Sequence, residues 1–193
     1  MEIVTELLPE HDMERAVRIV NQGGVVAVRT ETVYGLVVGL AHMNKMLAAK
    51  KSGSAKKIVM MFPDIEKLHQ YFGSHISPME KSIIEKFRGG LAVVLAAHNV
   101  AVRIPDDAVA RKFLSYFDAP LLISSANITG EPAATTWQQV LKNMNGRVDA
   151  IIMSSPSRLG VHSSVVKVTG TRVEIIREGH VTRAELSKHF EVL

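Results

Sequence analysis

The chain has no cysteine, a single tryptophan and only 5% aromatic residues, and it contains no long apolar run. Without cysteine there can be no disulfide, no thiolate nucleophile and no Cys-ligated zinc. Without roughly 18–20 consecutive apolar residues no membrane-spanning helix is expected. The acidic opening MEIVTELLPEHDMERA has too little apolar character for a secretory signal, which makes a cytoplasmic protein the expectation. Several reactive motifs are missing as well: there is no G-x-S-x-G elbow, no glycine-lysine phosphate loop, no H-E-x-x-H and no G-x-G-x-x-G. The histidines, His11, His42, His69, His75, His98, His162, His180 and His189, are scattered without ligand spacing, so no metal site is predicted.

What is present is a chain of 193 residues, 47% hydrophobic, enough for one core and read as a single domain over 1–193. Lys and Arg total 23 against 19 acidic residues, a net charge of +4. Four of these lysines crowd into KKSGSAKK, Lys50 to Lys57. Such a loop is either a solvated surface or a place where ammonium groups and backbone N–H donors meet phosphates.

Periodicity gives helices over HDMERAVRIVNQ (with Met13, Val17 and Val20 on one face), NKMLAAK, DIEKLHQYF, SPMEKSIIEKFR with Ser77 as cap, DDAVARKFLSYF, TTWQQVLKNM and TRAELSKHF. Strands are predicted at VVAVRT, VYGLVV, KIVMMF, LAVVLAA, VAVRI, APLLISSAN, VDAIIM, SSVVKVTG and RVEIIR. Some strands follow one another directly and others are separated by helices. The pattern therefore predicts an α/β protein with a twisted mixed sheet flanked by helices.

One stretch resists an ordinary hairpin reading. In GGVVAVRTETVYGLVVG, Gly23 to Gly39, two apolar strands are joined not by Asn-Gly or Gly-Gly but by Arg29, Thr30, Glu31 and Thr32. Hydroxyls and a carboxylate at the mouth of a sheet suggest a polar ligand. Further polar residues collect at other predicted strand ends: Arg103, Ser124, Ser125, Asn127, Ser163, Ser164 and Arg177. Each also has a plain structural reading. Tyr34 can be a core aromatic, Arg103 can pair with Asp106 or Asp107, and Arg177 can be a surface strand residue.

The ordered blocks T-E-T-V-Y-G-L, the lysine-rich loop, V-A-V-R-I-P-D, S-S-A-N-I-T-G-E-P, G-R-V-D-A-I, S-S-V-V and I-I-R-E-G closely resemble the YrdC-like threonylcarbamoyl-AMP synthase family, from about Asp12 to Leu186. The resemblance implies a twisted α/β sheet around a basic cavity. It also implies a nucleotidyltransferase that joins L-threonine, bicarbonate or CO2, and ATP carried with Mg2+, into threonylcarbamoyl-adenylate with release of pyrophosphate. A partner transferase would pass the threonylcarbamoyl group to tRNA, and direct binding of tRNA or double-stranded RNA is a family association. Carried onto this chain, the threonine pocket would use Thr32, Tyr34, Arg103 and Ser163. The nucleotide side would use Lys50, Lys56, Ser125, Asn127 and Arg177, with Lys50, Ser125 and Asn127 in the catalytic role.

The chain also departs from the family pattern. Where the loop usually reads K-x-R-x-x-x-N-P-L-x-x-H, Ser52 replaces the arginine, Lys56 the asparagine, Lys57 the proline and Met61 the histidine. Arg29 replaces a proline, FRGGLA replaces W-P-G-P-L-T, Asn99 a threonine and Ala133 a serine. Losing the loop arginine removes a fixed fork of donors, for which Arg29 or Arg88 could compensate. Three readings follow: a working synthase, weakened or with a lysine-based loop; a paralogue that binds nucleotide or RNA without making the adenylate; or a related carbamoyl or acyl adenylate chemistry on a different amine.

Overall fold

The computed structural model describes residues 3–53 and 58–193, so Lys56 and Lys57 lie outside the described residues. Among the described residues the chain runs β1 (Glu6–Pro9), α1 (Met13–Asn21), β2 (Val26–Val28), β3 (Gly35–Gly39), α2 (Met43–Ala49), β4 (Val59–Met61), α3 (Ile65–Phe72) and α4 (Pro78–Lys86). It continues through β5 (Leu91–Leu95), β6 (Val100–Arg103), α5 (Ala108–Ser115), β7 (Leu121–Ser125), α6 (Trp137–Met144) and β8 (Ala150–Met153). It closes with β9 (Ser164–Thr169), β10 (Arg172–Arg177), α7 (Arg183–Ser187) and β11 (Glu191–Val192).

The helices begin where their capping chemistry places them. Ser77 and Glu80 form a reciprocal capping box ahead of α4, with Pro78 at the first helical position. Thr136 with Gln139 and Thr182 with Glu185 do the same for α6 and α7. Glu80 makes a further bond: its buried carboxylate accepts the Ala96 N–H at 2.7 Å and so ties α4 to the end of β5.

The strands form one eleven-stranded mixed sheet in the order β1-β8-β2-β3-β7-β4-β6-β5-β9-β10-β11. Strands joined by short turns pair antiparallel, as β5 with β6 and β9 with β10, whereas β4 with β6 and β5 with β9 pair parallel across longer connections. Asn99, which replaces a threonine of the family pattern, sits in the β5–β6 turn at φ +52°, a conformation that asparagine accepts more readily than a β-branched threonine. Apolar side chains are buried in three clusters. One lies between α1, α5 and the β2/β8 region, one under α2 and α6, and one under α3, α4 and α7 on the β5/β6/β9/β10 part of the sheet.

Two details differ from the sequence expectation. The buried face of α1 is Met13, Ala16, Ile19 and Val20, and Val17 is only partly buried at its margin. The edge strands β1 and β11 were not predicted. Each is short and carries glutamate, and β1 ends in Pro9, so neither shows an apolar alternation; their order comes from pairing with β8 and β10.

The register brings Gly35 of β3 opposite Ser125 of β7, and Val59 of β4 opposite Ile123. A side chain on Gly35 would place its Cβ 2.3 Å from Ile123 Cδ1. Glycine there lets Ile123 lie flat against the sheet. Gly35→Ala is expected to destabilise the fold by about 1–3 kcal/mol through overpacking, with part of the loss recovered by adding Ile123→Val. Urea midpoints of the single and double variants measure it; equal midpoints for wild type and Gly35→Ala would contradict this packing.

Candidate functional site

Over Gly35, Val59 and Ile123 lies a cavity of about 260 Å3. Its wall also includes Thr30, Thr32, Val33, Lys50, Arg103, Ser124, Ser125, Asn127, Thr129, Gly130, Glu131, His162, Ser163 and Arg177. The segment from Arg29 to Tyr34 reaches from β2 and β3 to β6, although β7 and β4 stand between β3 and β6 in the sheet. Its backbone is held by Leu159 N–H donating to Glu31 O at 2.7 Å, Gly160 N–H to Thr32 O at 2.9 Å, Tyr34 N–H to Ala134 O at 2.8 Å and Ala126 N–H to Tyr34 O at 2.8 Å.

At one end of the cavity stands Arg103, at the end of β6. Its guanidinium is 7% exposed and ion-paired with Glu31, itself 1% exposed. The same terminal nitrogen donates to Thr32 Oγ1 at 2.8 Å. The Thr30 hydroxyl gives its proton to Val33 O at 2.7 Å, so the 2.9 Å contact between Thr32 and Thr30 takes its proton from Thr32. The hydroxyl chain therefore has one direction, and Thr32 Oγ1 keeps only acceptor capacity for a ligand. Arg177, at the end of β10, donates to Ser163 O at 2.7 Å. Burial lowers the proton affinity of Arg177, and the charge of Arg103 lowers it further. The Nε groups of both arginines are buried without a hydrogen-bond partner. Two desolvated guanidiniums that repel each other and hold unused donors form a receptor for an anion.

At the other end stands Lys50, buried just beyond α2. Its Nζ donates to Ser125 O, to Asn127 O at 2.9 Å and to Asn127 Oδ1 at 3.1 Å. Asn127 Oδ1 also accepts from Ser125 Oγ at 2.5 Å, and Asn127 Nδ2 donates to Ile128 O and Glu131 O at 2.9 and 2.7 Å. Both faces of the Asn127 amide are thus engaged in shaping the loop after β7 and in holding Lys50 against it.

Thr32, Lys50, Arg103, Ser125, Asn127, Ser163 and Arg177 are thereby brought to one cavity. Tyr34 is not among its lining residues. Its ring is fully buried in the cluster under α2 and α6, and its hydroxyl donates to Ser154 O at 3.0 Å and accepts the Ser154 N–H at 3.3 Å. An aromatic directly before β3, on the face opposite the cavity, packs into the core. Ser164 is also buried beside the site rather than in it, with Oγ donating to Val181 O. Arg103 pairs with neither Asp106 nor Asp107. Asp107 takes Arg29, at 3.0 Å, and Asp106 takes Arg158, at 3.1 Å. Arg29 also donates to Ser155 Oγ, and neither it nor the exposed Arg88 lines the cavity. Met61 is buried in the core and contributes nothing to the wall. Sequence reasoning did not single out His162, Thr129 or Glu131, which have no spacing signal and arrive with the loops.

The Sua5/YciO/YrdC family model, described as telomere recombination, matches residues 18–179. The chain belongs to this family. Within the Sua5/YciO/YrdC group it is 26% identical to the threonylcarbamoyl-AMP synthase of Bacillus subtilis and 27% identical to that of Pyrococcus abyssi, covering 95% and 96% of this chain. It spans only 58% and 59% of those two relatives. The Vibrio cholerae synthase is 24% identical, with 87% of this chain and 97% of that protein aligned. Among solved structures, Pyrococcus abyssi Sua5 complexed with L-threonine superposes with a TM-score of 0.83 at 24% identity, over 98% of this chain and 62% of that one. Escherichia coli YciO gives 0.78 at 18% identity, over 92% and 97%. These likenesses establish the α/β fold as that of the Sua5/YciO/YrdC group.

Burial raises the Tyr34 phenol pKa from 10.0 to about 12, which favours the protonated form in the folded protein. The stability this contributes is complete below pH 10 and is lost as pH rises from 10 toward 12. The loss should approach about 2–3 kcal/mol. Tyr34→Phe is expected to lack this alkaline phase when denaturant midpoints are followed across that range; an unchanged pH profile would show that Tyr34 ionises without reference to folding.

Proposed function

We propose that this chain is an L-threonylcarbamoyladenylate synthase, a nucleotidyltransferase that condenses L-threonine, bicarbonate or CO2, and ATP, and releases pyrophosphate. The observation that carries the reading is the single cavity with Arg103, Arg177, Thr32 and Ser163 at one end and Lys50, Ser125 and Asn127 at the other. It is supported by the family membership and by the synthases among the relatives.

In this reading the threonine carboxylate takes donors of Arg103 that Glu31 and Thr32 leave unused, and a donor of the substrate takes the acceptor left on Thr32 Oγ1. The threonine amine, as the free base, adds to CO2, and the proton it loses on becoming a carbamate goes to water. A carbamate oxygen then attacks the α-phosphorus of ATP, the bond to the bridging oxygen breaks, and pyrophosphate leaves with that electron pair. Little proton chemistry is required of the protein. Its contribution is to align the carbamate and the α-phosphate, keep water out and offset developing negative charge. Lys50, with Ser125 and Asn127 behind it, faces the phosphates, and Arg177 stands beside Arg103 as a second cation. Mg2+ enters with ATP as part of the substrate. A tRNA-modifying transferase, or tRNA itself, consumes the adenylate in the cytoplasm. No described helix is long and apolar enough to cross a membrane.

The second reading, a nucleotide-binding or RNA-binding paralogue without turnover, is favoured by one observation. Ser52 stands in the arginine position, and neither Arg29 nor Arg88 lines the cavity in its place. Pyrophosphate release decides between them. The wild-type chain is expected to release pyrophosphate from ATP only when threonine and bicarbonate are both present, and Arg103→Ala to lower kcat/KM about 100-fold or more, equivalent to about 3 kcal/mol. ATP binding that threonine does not enhance, with no release by folded wild-type protein, would establish the second reading instead.

A further inference from the structure

Glu31 does not line the cavity, yet it is one of the most completely buried charges in the molecule. Its carboxylate accepts from Arg103 on one oxygen and from the Asp106 N–H, at 3.1 Å, on the other. Both of its neighbours are donors. A carboxylate can accept from both, whereas an amide of the same shape would turn its own N–H toward one of them. The space behind it is closed as well. At Gly89, with φ +82°, a Cβ would fall 2.6 Å from Asp106 Cβ and 3.0 Å from Glu31 Oε1. Backbone therefore packs directly on the Glu31–Asp106 junction, and the carboxylate has no room to withdraw.

We infer that Glu31 is a positioning residue for amino acid recognition, acting through Arg103. This inference rests on the proposed synthase function and adds to it a residue that never touches substrate. Glu31 holds one terminal nitrogen of Arg103 from behind, and that nitrogen also occupies Thr32 Oγ1. The guanidinium is thereby held in one orientation, and only the donors that Glu31 and Thr32 do not take are left for a carboxylate in the cavity. Arg103 fills one lone pair of Thr32 Oγ1, the Thr32 proton goes to Thr30, whose own proton is committed to Val33 O, and one lone pair of Thr32 is left to recognise a donor. Without Glu31 the orientation of Arg103, and with it the bond to Thr32, is released. The nucleotide end is built on separate contacts between Lys50, Ser125 and Asn127 and should not register the change.

The test is calorimetric titration of threonine and, separately, of a non-hydrolysable ATP analogue, with wild type, Glu31→Gln and Glu31→Asp. Glu31→Gln is expected to weaken threonine binding about 10- to 100-fold, the loss of a charge-assisted pair. Affinity for the ATP analogue should stay within about twofold, a split that general loosening of the fold would not produce. Glu31→Asp keeps both acceptors but draws them back by about 1.5 Å, one C–C bond, and should also weaken threonine selectively. Its result carries the same criterion if Glu31→Gln does not fold. Combined with Arg103→Lys, the Glu31→Gln loss should shrink, because the two residues act as one unit. Threonine affinity unchanged in both Glu31 variants, or losses that add fully to that of Arg103→Lys, would overturn the inference while leaving the functional reading intact. Wild-type protein that binds no threonine would overturn the functional reading, and the inference with it.

Discussion

The site is organised around the ion pair between Arg103 and Glu31. Both side chains are removed from water, at 7% and 1% exposure, a position that costs several kcal/mol per charge unless geometry and additional hydrogen bonds offset it. Here they do. Glu31 also accepts the Asp106 N–H, and Arg103 also donates to Thr32. The pair explains why two hydrophobic strands are interrupted by R-T-E-T. A tight glycine turn would return β2 directly into β3, whereas this segment has to span β7 and β4 and deliver a carboxylate to β6. The bend is thus a structural tie across the sheet before it is a binding surface.

The two ends of the cavity hold their cations by different means, and their electrostatics differ in consequence. Arg103 meets a full negative charge. Lys50 meets carbonyl and amide oxygens of Ser125 and Asn127, which orient its ammonium. Arg177 meets Ser163 through a carbonyl and a hydroxyl, and its lowered proton affinity reflects burial first and the neighbouring Arg103 second.

Much of this was legible in the sequence because the signals were local. Ser77 before Pro78 announced a helix start, continuous apolar strands announced a covered sheet, and the ordered polar blocks marked Thr32, Lys50, Arg103, Ser125, Asn127, Ser163 and Arg177, all of which reach the cavity. What stayed hidden was non-local. Which acid would pair with Arg103 could not be read from spacing: Asp106 and Asp107 are nearer in the chain, but each is occupied by another arginine, and the partner comes from 72 residues away. Tyr34 illustrates a second limit. A residue can sit inside a motif that shapes a site and still face the core, because alternation along a strand sends neighbours to opposite faces. The edge strands β1 and β11 were invisible for a third reason, since they exist only as partners of β8 and β10.

The departures from the family pattern separate along the same line. Asn99 serves a turn at positive φ, Met61 fills core, and Arg29 has found Asp107 and Ser155, so each is accounted for by its own surroundings. None of the three adds to or subtracts from the charge facing the cavity. Ser52 is different, because it stands where the family pattern puts an arginine and brings no charge of its own. The described cationic wall therefore consists of Lys50, Arg103 and Arg177, and Arg103 is offset by the carboxylate of Glu31. In the proposed synthase reading, Lys50 offers a phosphate chain an oriented point charge rather than a fork. That reading asks Ser125 and Asn127 to position the ammonium, since a lysine gains by external positioning what an arginine carries in its own plane.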